Sequence, residues 1–157
     1  MKLYEEVKDA LTIGIGGHER PDGDCVGSVM GLYLYLKKVC PNAKVQVLLE
    51  KPADIFSCIK DIDEIHSDFT TEVEKFDVFF ALDTAKERLG EAEKYFDQAV
   101  KKINIDHHVS NSGSGDMNYI VPGASSTSEL IYDLIEDKSA LDEEIARALY
   151  IGIIHDT

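Results

Sequence analysis

Short apolar runs of β-type composition alternate along this chain with segments of helical periodicity. The runs cover residues 12–16, 44–49, 76–82 and 100–105, and a fifth at 118–121 is a candidate edge strand. Helical patterns lie at 4–11, 26–39, 85–99 and 126–137, and a last helix begins after 141–144. Residues 53–74 are less regular and predict a short helix and a brief strand near Ile65. The alternation predicts an α/β domain with a mainly parallel sheet flanked by helices.

The length and composition fit one folded domain without a membrane span. The chain has 157 residues, of which 44% are apolar, and this is enough to bury a sizeable core. It contains no apolar run of membrane-spanning length and no signal-peptide pattern. Its three cysteines are odd in number and lack CxxC spacing, which is typical of reduced thiols. We therefore expect a cytoplasmic protein.

The charge balance limits the class of partner. The formal net charge is −14, and there are only three arginines. A long surface that binds duplex DNA needs clustered Lys and Arg, so the composition argues against duplex binding. A small phosphorylated substrate remains compatible with this charge if metal ions supply positive charge locally. Most of the acidic residues are expected to be a solvated surface.

Three predicted strands end on side chains that can bind metal ions. Because ligands of open parallel sheets bind beyond the carboxyl ends of the strands, we expect these groups to converge. The alternative is that Asp22 and Asp24 are ordinary turn residues and that Asp83 caps a helix. Three such coincidences on successive strands are less plausible than one site. The candidates are His18, Asp22 and Asp24 after the first run, Asp83 after the third, and Asp106, His107 and His108 after the fourth.

Several carboxylates brought within a few ångströms oppose each other's ionisation unless cations are present. Carboxylate and imidazole ligands suit Mn, Fe, Zn or Mg, and this set exceeds what one ion needs. Two ions about 3.5–4 Å apart form a clamp used for in-line phosphoryl chemistry. Asp83 follows the most apolar run, so it should lie at the middle of the sheet and reach both ions. The pattern therefore predicts a dinuclear centre.

Five segments together resemble the DHH phosphoesterases over essentially the whole chain. They are His18-Glu19-Arg20-Pro21-Asp22-Gly23-Asp24 with Gly27-Ser28, Ala81-Leu82-Asp83-Thr84, Ile105-Asp106-His107-His108, residues 124–129, and residues 148–157. Within that family the chain is most similar to the nanoRNase/pAp-phosphatase branch and its relatives that cleave cyclic dinucleotides.

The resemblance implies a role for each candidate residue. One Mn²⁺ would be held by His18, Asp22 and Asp83, and the second by Asp24, Asp83, His107 and Asp156. Asp106 would orient a ligand imidazole, and His108 would lie close to the scissile phosphate as a catalytic residue. The nucleophile would be a metal-activated water, so no Ser or Cys nucleophile is expected.

The resemblance also implies an activity: metal-dependent hydrolysis of phosphate esters in short oligonucleotides, dinucleotides or nucleoside 3′,5′-bisphosphates. Family members usually continue into a C-terminal DHH-associated domain that binds substrate. Residues 1–157 are expected to be the catalytic domain, without that second domain. Two alternatives stay open, namely a manganese-dependent inorganic pyrophosphatase and a metal-binding module that is inactive without a second domain. The sequence leaves both a monomer and a homodimer open.

Overall fold

The computed structural model describes residues 1–156, apart from the side chain of Asp156. Its core is one five-stranded sheet in the order β2-β1-β3-β4-β5, and every neighbouring pair is parallel. The predicted α/β fold with a parallel sheet is confirmed, and β3 is the middle strand. The strands are β1 (Thr12–Gly16), β2 (Lys44–Leu48), β3 (Val78–Leu82), β4 (Lys101–Asp106) and β5 (Met117–Ile120).

Helices cover both faces of the sheet. One face carries a larger core, to which α2, α4 and α5 contribute, and the other carries a smaller core around Phe79 and Phe96 of α3. None of the helices in the described part of the chain combines the length and the apolar character needed to cross a membrane. The helices are α1 (Leu3–Val7), α2 (Gly23–Val39), α3 (Glu93–Gln98), α4 (Thr127–Leu134) and α5 (Glu143–Asp156).

The central strand β3 is buried on both of its faces. Val78, Phe80 and Leu82 point into the larger core, whereas Phe79 and Ala81 point into the smaller one. An inner strand of a parallel sheet needs apolar side chains on both faces, which is why this run reads as continuously apolar. Burial of such side chains stabilises the fold by about 1.5–3 kcal/mol each. The well-packed strand β3 therefore fixes the position of the residue that follows it, Asp83.

The helices α2 and α5 cross in close contact near the carboxyl ends of the strands. A Cβ added to Gly27 would lie 2.6 Å from the carbonyl oxygen of Ala148 and 2.7 Å from the Cα of Gly152. At Gly31 an added Cβ would overlap the side chain of Leu149. The small residues near the start of α2 therefore let the backbone of α5 come into contact with it.

Several predicted boundaries were wrong. Residues 85–99 form two 3₁₀ turns, Lys86–Arg88 and Gly90–Ala92, before α3, because Gly90 has a left-handed φ of +62° that interrupts the helix. The brief strand expected near Ile65 is instead the end of a 3₁₀ turn, Ile62–Glu64. The first helix ends at Val7 and α4 ends at Leu134, both earlier than the periodicity suggested.

Candidate metal centre

The sheet order places the ends of β1, β3 and β4 side by side at the middle of one edge. The chain runs from β1 to β2 on one side and returns to β3 on the other, so the strand order reverses between β1 and β3. Such a reversal opens a crevice beyond the carboxyl ends of the strands. The described candidate side chains from all three strand ends lie in or beside this crevice.

Asp83 lies at the centre of the group and is 2% exposed. Its Oδ2 is 3.3 Å from the Nε2 of His18, and its Oδ1 is 3.4 Å from the Nε2 of His107. The hydroxyl of Thr127 donates a hydrogen bond of 3.1 Å to the same Oδ1. The two oxygens of one carboxylate thus face two different histidines. The alternative of a helix cap fails, because the turn that follows begins after Ala85 and has no side-chain cap.

His18 and Asp22 form the side of the site nearest β1. The Nδ1 of His18 contacts the carbonyl of Glu19 at 2.8 Å, so it carries the proton and Nε2 is directed to the carboxylates. That Nε2 is 3.5 Å from Oδ1 of Asp22. The same Oδ1 accepts from the backbone N–H of Cys25 at 2.9 Å and caps α2. Asp22 is therefore both a helix cap and a member of the cluster.

Asp24, in the first turn of α2, is fully buried, and its carboxylate accepts hydrogen bonds from the first turn of α4. The backbone N–H of Thr127 donates to Oδ2 at 2.8 Å, and the N–H and hydroxyl of Ser128 donate to Oδ1 at 2.9 and 2.8 Å. The Nε2 of His107 is 3.4 Å from Oδ2. Ser126 is the N-cap of α4, and its hydroxyl accepts a hydrogen bond from the backbone N–H of Glu129. A helix N-terminus stabilises a carboxylate through its free N–H groups and its dipole.

The end of β4 supplies Asp106, His107 and His108. Oδ1 of Asp106 accepts from the backbone N–H of His107 at 2.8 Å and lies 2.7 Å from Nδ1 of His108. The ring that Asp106 orients is thus that of His108, whereas its bond to His107 is through the backbone. Asp106 is 1% exposed on its side chain, but that of His108 is 46% exposed. The imidazole that faces Asp24 and Asp83 belongs to His107.

Burial and mutual repulsion change the protonation of this cluster. Burial, and then the charge of Asp83, raises the pKa of Asp24 to about 8. Burial also opposes the ionisation of Asp83, but hydrogen bonds with His107 and His18 outweigh it and hold its pKa below the usual range. Burial likewise disfavours the charged form of His18, yet its contacts with Asp22 and Asp83 raise its pKa. One proton thus compensates part of the negative charge where two carboxylates meet.

The donor set fits divalent cations. Among the residues that the structure describes, two groups of potential ligand atoms each lie within 4.8 Å of one another, and Asp83 belongs to both. Carboxylate oxygens and imidazole nitrogens suit hard or borderline divalent ions. The helix α5 ends beside the same loop, where His155 contacts Gly23. The predicted ligand Asp156 follows it, but its side chain lies outside the described residues. The groups are Asp83, Asp106, His107 and His108, and His18, Cys25 and Asp83.

Sequence reasoning missed several polar residues that support the cluster. The cysteines were interpreted as buried or incidental reduced thiols. Cys25 is a buried free thiol, but it also lies beside His18 and Asp83, and its burial raises its pKa to about 11. A polar residue inside an apolar strand, Asn104, was the available signal for a buried network in β4. The residues whose role was missed are Cys25, Asn104, Asn111, Thr127 and Ser128, although the last two lie in the segment 124–129 that supports the family resemblance.

The known proteins that are similar to this chain have names that refer to phosphatases or phosphodiesterases. The chain is 31% identical over 150 residues to the bifunctional oligoribonuclease and PAP phosphatase NrnA of Bacillus subtilis (strain 168), covering 93% of this chain and 46% of that protein. It is 30% identical over 171 residues to the cyclic-di-AMP phosphodiesterase PdeA of Listeria monocytogenes serotype 1/2a (strain 10403S), covering 99% and 26%.

A solved structure, that of an exopolyphosphatase-related protein from Bacteroides fragilis, superposes with a TM-score of 0.85 at 28% identity, covering 99% of this chain and 48% of that one. The chain thus spans about half the length, or less, of these relatives. Residues 12–153 match the model of the DHH family, N-terminal domain. This chain therefore belongs to the DHH family.

Proposed function

We propose that this chain is the catalytic domain of a metal-dependent phosphoesterase. Its substrates would be phosphate esters of short oligonucleotides, dinucleotides or nucleoside 3′,5′-bisphosphates. The observation that carries the proposal is the position of Asp83, whose two carboxylate oxygens face His18 and His107 separately. A carboxylate placed in this way can be shared by two cations, and two cations suit phosphoryl transfer.

The residues that would hold two Mn²⁺ ions divide into two sets around Asp83. His18 and Asp22 would complete one set, and Asp24, His107 and Asp156 the other. When bound, the ions would neutralise phosphate charge and lower the pKa of water. The chain itself supplies the preorganisation, since Asp24 is held by three donors of α4 and Asp83 by Thr127.

His108 is the proposed catalytic residue of the chain. Its Nδ1 donates to the Asp106 carboxylate, which can only accept, so Nε2 is left free of that bond. The half-exposed ring can therefore present Nε2 to a phosphoryl or leaving-group oxygen and hold or transfer a proton there. Asp106 acts on His108 by fixing the tautomer and the orientation of the ring.

The substrate class is proposed from the relatives and from the surface charge. The names of the relatives refer to oligoribonucleotides, PAP and cyclic-di-AMP, which are all small nucleotide phosphates. With a net charge of −14 and only three arginines, the chain has few groups to hold a long strand. We propose that it acts on small substrates and discriminates weakly by length, because contacts away from the reacting centre set specificity.

The test is a direct assay of the purified 157-residue chain loaded with Mn²⁺. Release of mononucleotide from a ribodinucleotide and a ribopentanucleotide is measured beside phosphate release from 3′,5′-pAp and from pyrophosphate. We expect hydrolysis of the nucleotides that EDTA abolishes, with kcat/KM for the two RNA lengths within about tenfold, or 1.4 kcal/mol. Phosphate release from pyrophosphate alone would identify a pyrophosphatase. Bound metal without any turnover would identify a metal-binding module.

A matched variant tests the role given to His108. Replacement by Asn keeps a polar side chain that Asp106 can hold but removes the titratable ring. We expect kcat to fall by about 10²–10⁴-fold, the usual contribution of a general acid or base, with metal content unchanged. A His108→Asn protein with the kcat of the parent would exclude this residue from catalysis.

The identity of the metal is tested separately. We expect Mn²⁺ to give the highest activity and Zn²⁺ to be the main competitor, because Zn²⁺ stands above Mn²⁺ in affinity for a given site. Metal analysis after loading and desalting measures the stoichiometry. Fewer than one Mn²⁺ per chain at saturation would contradict a dinuclear centre.

A further inference from the structure

Two buried amide side chains connect the turn at Asp83 with Asp106 at the end of β4. Asn104, in β4, is fully buried, and Asn111, in the loop after His108, is 9% exposed. The Nδ2 group of Asn111 donates to Oδ1 of Asn104 at 3.1 Å and to Oδ2 of Asp106 at 2.9 Å. The proposed metal ligands do not include either amide, and both lie behind the side chains that face the crevice.

Asn104 fastens the backbone on both sides of Asp83. Its Nδ2 donates to the carbonyl of Ala81 at 3.0 Å and to the carbonyl of Thr84 at 2.8 Å. Asp83 lies between these carbonyls with a left-handed φ of +64°. A non-glycine residue in that conformation costs about 1–2 kcal/mol and persists only where the surroundings hold it. The amide of Asn104 is thus part of what keeps the shared carboxylate in place.

The hydrogen-bonding capacity of Asn104 is fully used. Its Oδ1 accepts from Asn111 and from the backbone N–H of Ser114 at 3.0 Å, in addition to the two bonds that its NH₂ donates. A buried amide with both donors and both lone pairs occupied has one orientation only. Hydrogen bonds thus run without a break from the Asp83 turn through Asn104 and Asn111 to the Asp106 carboxylate that holds His108.

We infer that Asn104 and Asn111 are positioning residues that couple the Asp83 turn to the Asp106–His108 pair. Asn104 sets the carboxylate shared by the proposed ions, and Asn111 sets the ring of the proposed catalytic histidine. The inference rests on the proposed function for its catalytic consequence only. The geometry of the metal-free protein is expected to respond to either substitution, whatever the enzyme hydrolyses.

The test compares Asn111→Ala, Asn104→Ser and the control Asn118→Ala. Asn118 lies in the same region, and its amide bonds only to Gly115 among the contacts described. ¹⁵N NMR of the histidine rings at one pH reports the tautomer of His108 in the metal-free protein. Mn²⁺ titration, urea denaturation and kcat/KM are measured on the same samples. The NMR measurement does not depend on activity, so it can contradict this inference separately from the kcat/KM measurement, which also depends on the proposed function.

For Asn111→Ala we expect His108 to change from one tautomer to a mixture. We also expect kcat to fall at least tenfold at unchanged KM, while Mn²⁺ affinity stays within about threefold. For Asn104→Ser we expect the affinity of both ions to fall together by at least tenfold. Asn118→Ala should match the parent in all of these.

An unchanged His108 tautomer in Asn111→Ala would overturn the inference even if both variants were inactive. Equal effects in Asn118→Ala would also overturn it, because they would show general loosening of the loop. If Asn104→Ser does not fold, the Asn111→Ala result alone decides whether the amide pair positions the ring.

Discussion

Asp83 combines three structural properties. It is buried, it has a left-handed backbone, and its two oxygens face histidines that follow different strands. The backbone N–H of Asp83 continues the sheet by donating to the carbonyl of Ile105 at 3.0 Å. The backbone of Asp83 is thus fixed relative to β4 as well as β3, and this favours a constant position for the carboxylate that we propose two cations share.

Matched substitutions test the shared role of Asp83. Asp83→Asn retains the size of the side chain and the tolerance of asparagine for positive φ, whereas Asp22→Asn retains a helix cap. We expect Asp83→Asn to lower the affinity of both ions by at least about tenfold, the lower end of what a lost supporting group around a metal costs. Asp22→Asn should weaken one ion only. Calorimetric titration with Mn²⁺ of both variants and the parent measures this.

Two results would contradict a shared carboxylate. If Asp83→Asn binds one ion with the affinity of the parent and loses only the other, Asp83 belongs to a single metal site. If it still binds two ions tightly, the cluster around His18 and His107 holds metal without it.

The sequence predicts the residues that face the crevice better than those that support them. His18, Asp83 and His107 are recognisable because each follows a strand and can bind metal. Thr127 and Ser128 are not, because their effect on Asp24 depends on a helix more than 100 residues away in the chain. Asp106 was expected to hold a ligand imidazole, and only the structure shows that the ring it holds is that of His108.

At the scale of elements, α2 and α5 pack without space for side chains at their crossing. Gly27 lies one turn after Asp24, so the crossing is next to the cluster. An added methyl group would meet backbone atoms of Ala148 and Gly152, which cannot rotate away as a side chain could. The contact between these helices therefore depends on glycine.

We expect Gly27→Ala to destabilise the protein despite the higher helix propensity of alanine. The gain in propensity is about 1 kcal/mol, whereas forcing a methyl group into a packed core typically costs about 1–3 kcal/mol and more against backbone. Gly123→Ala is the control, since nothing lies within 4 Å of a Cβ added there. Urea denaturation should give a lower free energy of unfolding for Gly27→Ala alone. Equal stability of the two variants would contradict the close crossing.

Element existence was predictable from periodicity, but boundaries depended on local backbone geometry. The five strands and the cap at Ser126 follow from composition and spacing. The segment 85–99 was expected to be one helix weakened near Gly90, yet it contains two 3₁₀ turns before α3. Its charged pattern fits any exposed helical turn, and the left-handed Gly90 and the turn at Asp83 decide where the α-helix can begin.

At the scale of the whole molecule, the acidic charge and the buried cluster act in the same direction. The net charge of −14 disfavours the ionisation of further carboxyl groups, and at Asp24 burial and the charge of Asp83 disfavour it locally. Cation binding would offset both effects. The free energy of unfolding should therefore depend on metal and pH together.

Metal-free protein should become less stable as pH rises from about 4 to about 8. The pKa of Asp24 is about 8 in the folded protein and near 3.8 in the unfolded chain, so the folded state binds more protons across this window. The raised pKa of His18 acts in the same sense above its ordinary value of 6.5, because the unfolded chain loses that proton first. Urea denaturation in EDTA at several pH values measures the slope.

Added Mn²⁺ should reverse this dependence, because a metal ion must displace the protons on Asp24 and His18 and therefore binds more tightly at higher pH. The acidic surface contributes its own slope, which Asp24→Asn separates: the variant keeps the surface but cannot titrate at that position. We expect the metal-free slope between pH 4 and 8 to be shallower in Asp24→Asn than in the parent, and the stabilisation by Mn²⁺ to be smaller. Identical slopes in the two proteins below pH 6.5, where His18 does not contribute, would show that surface repulsion, and not Asp24, governs how stability responds to pH.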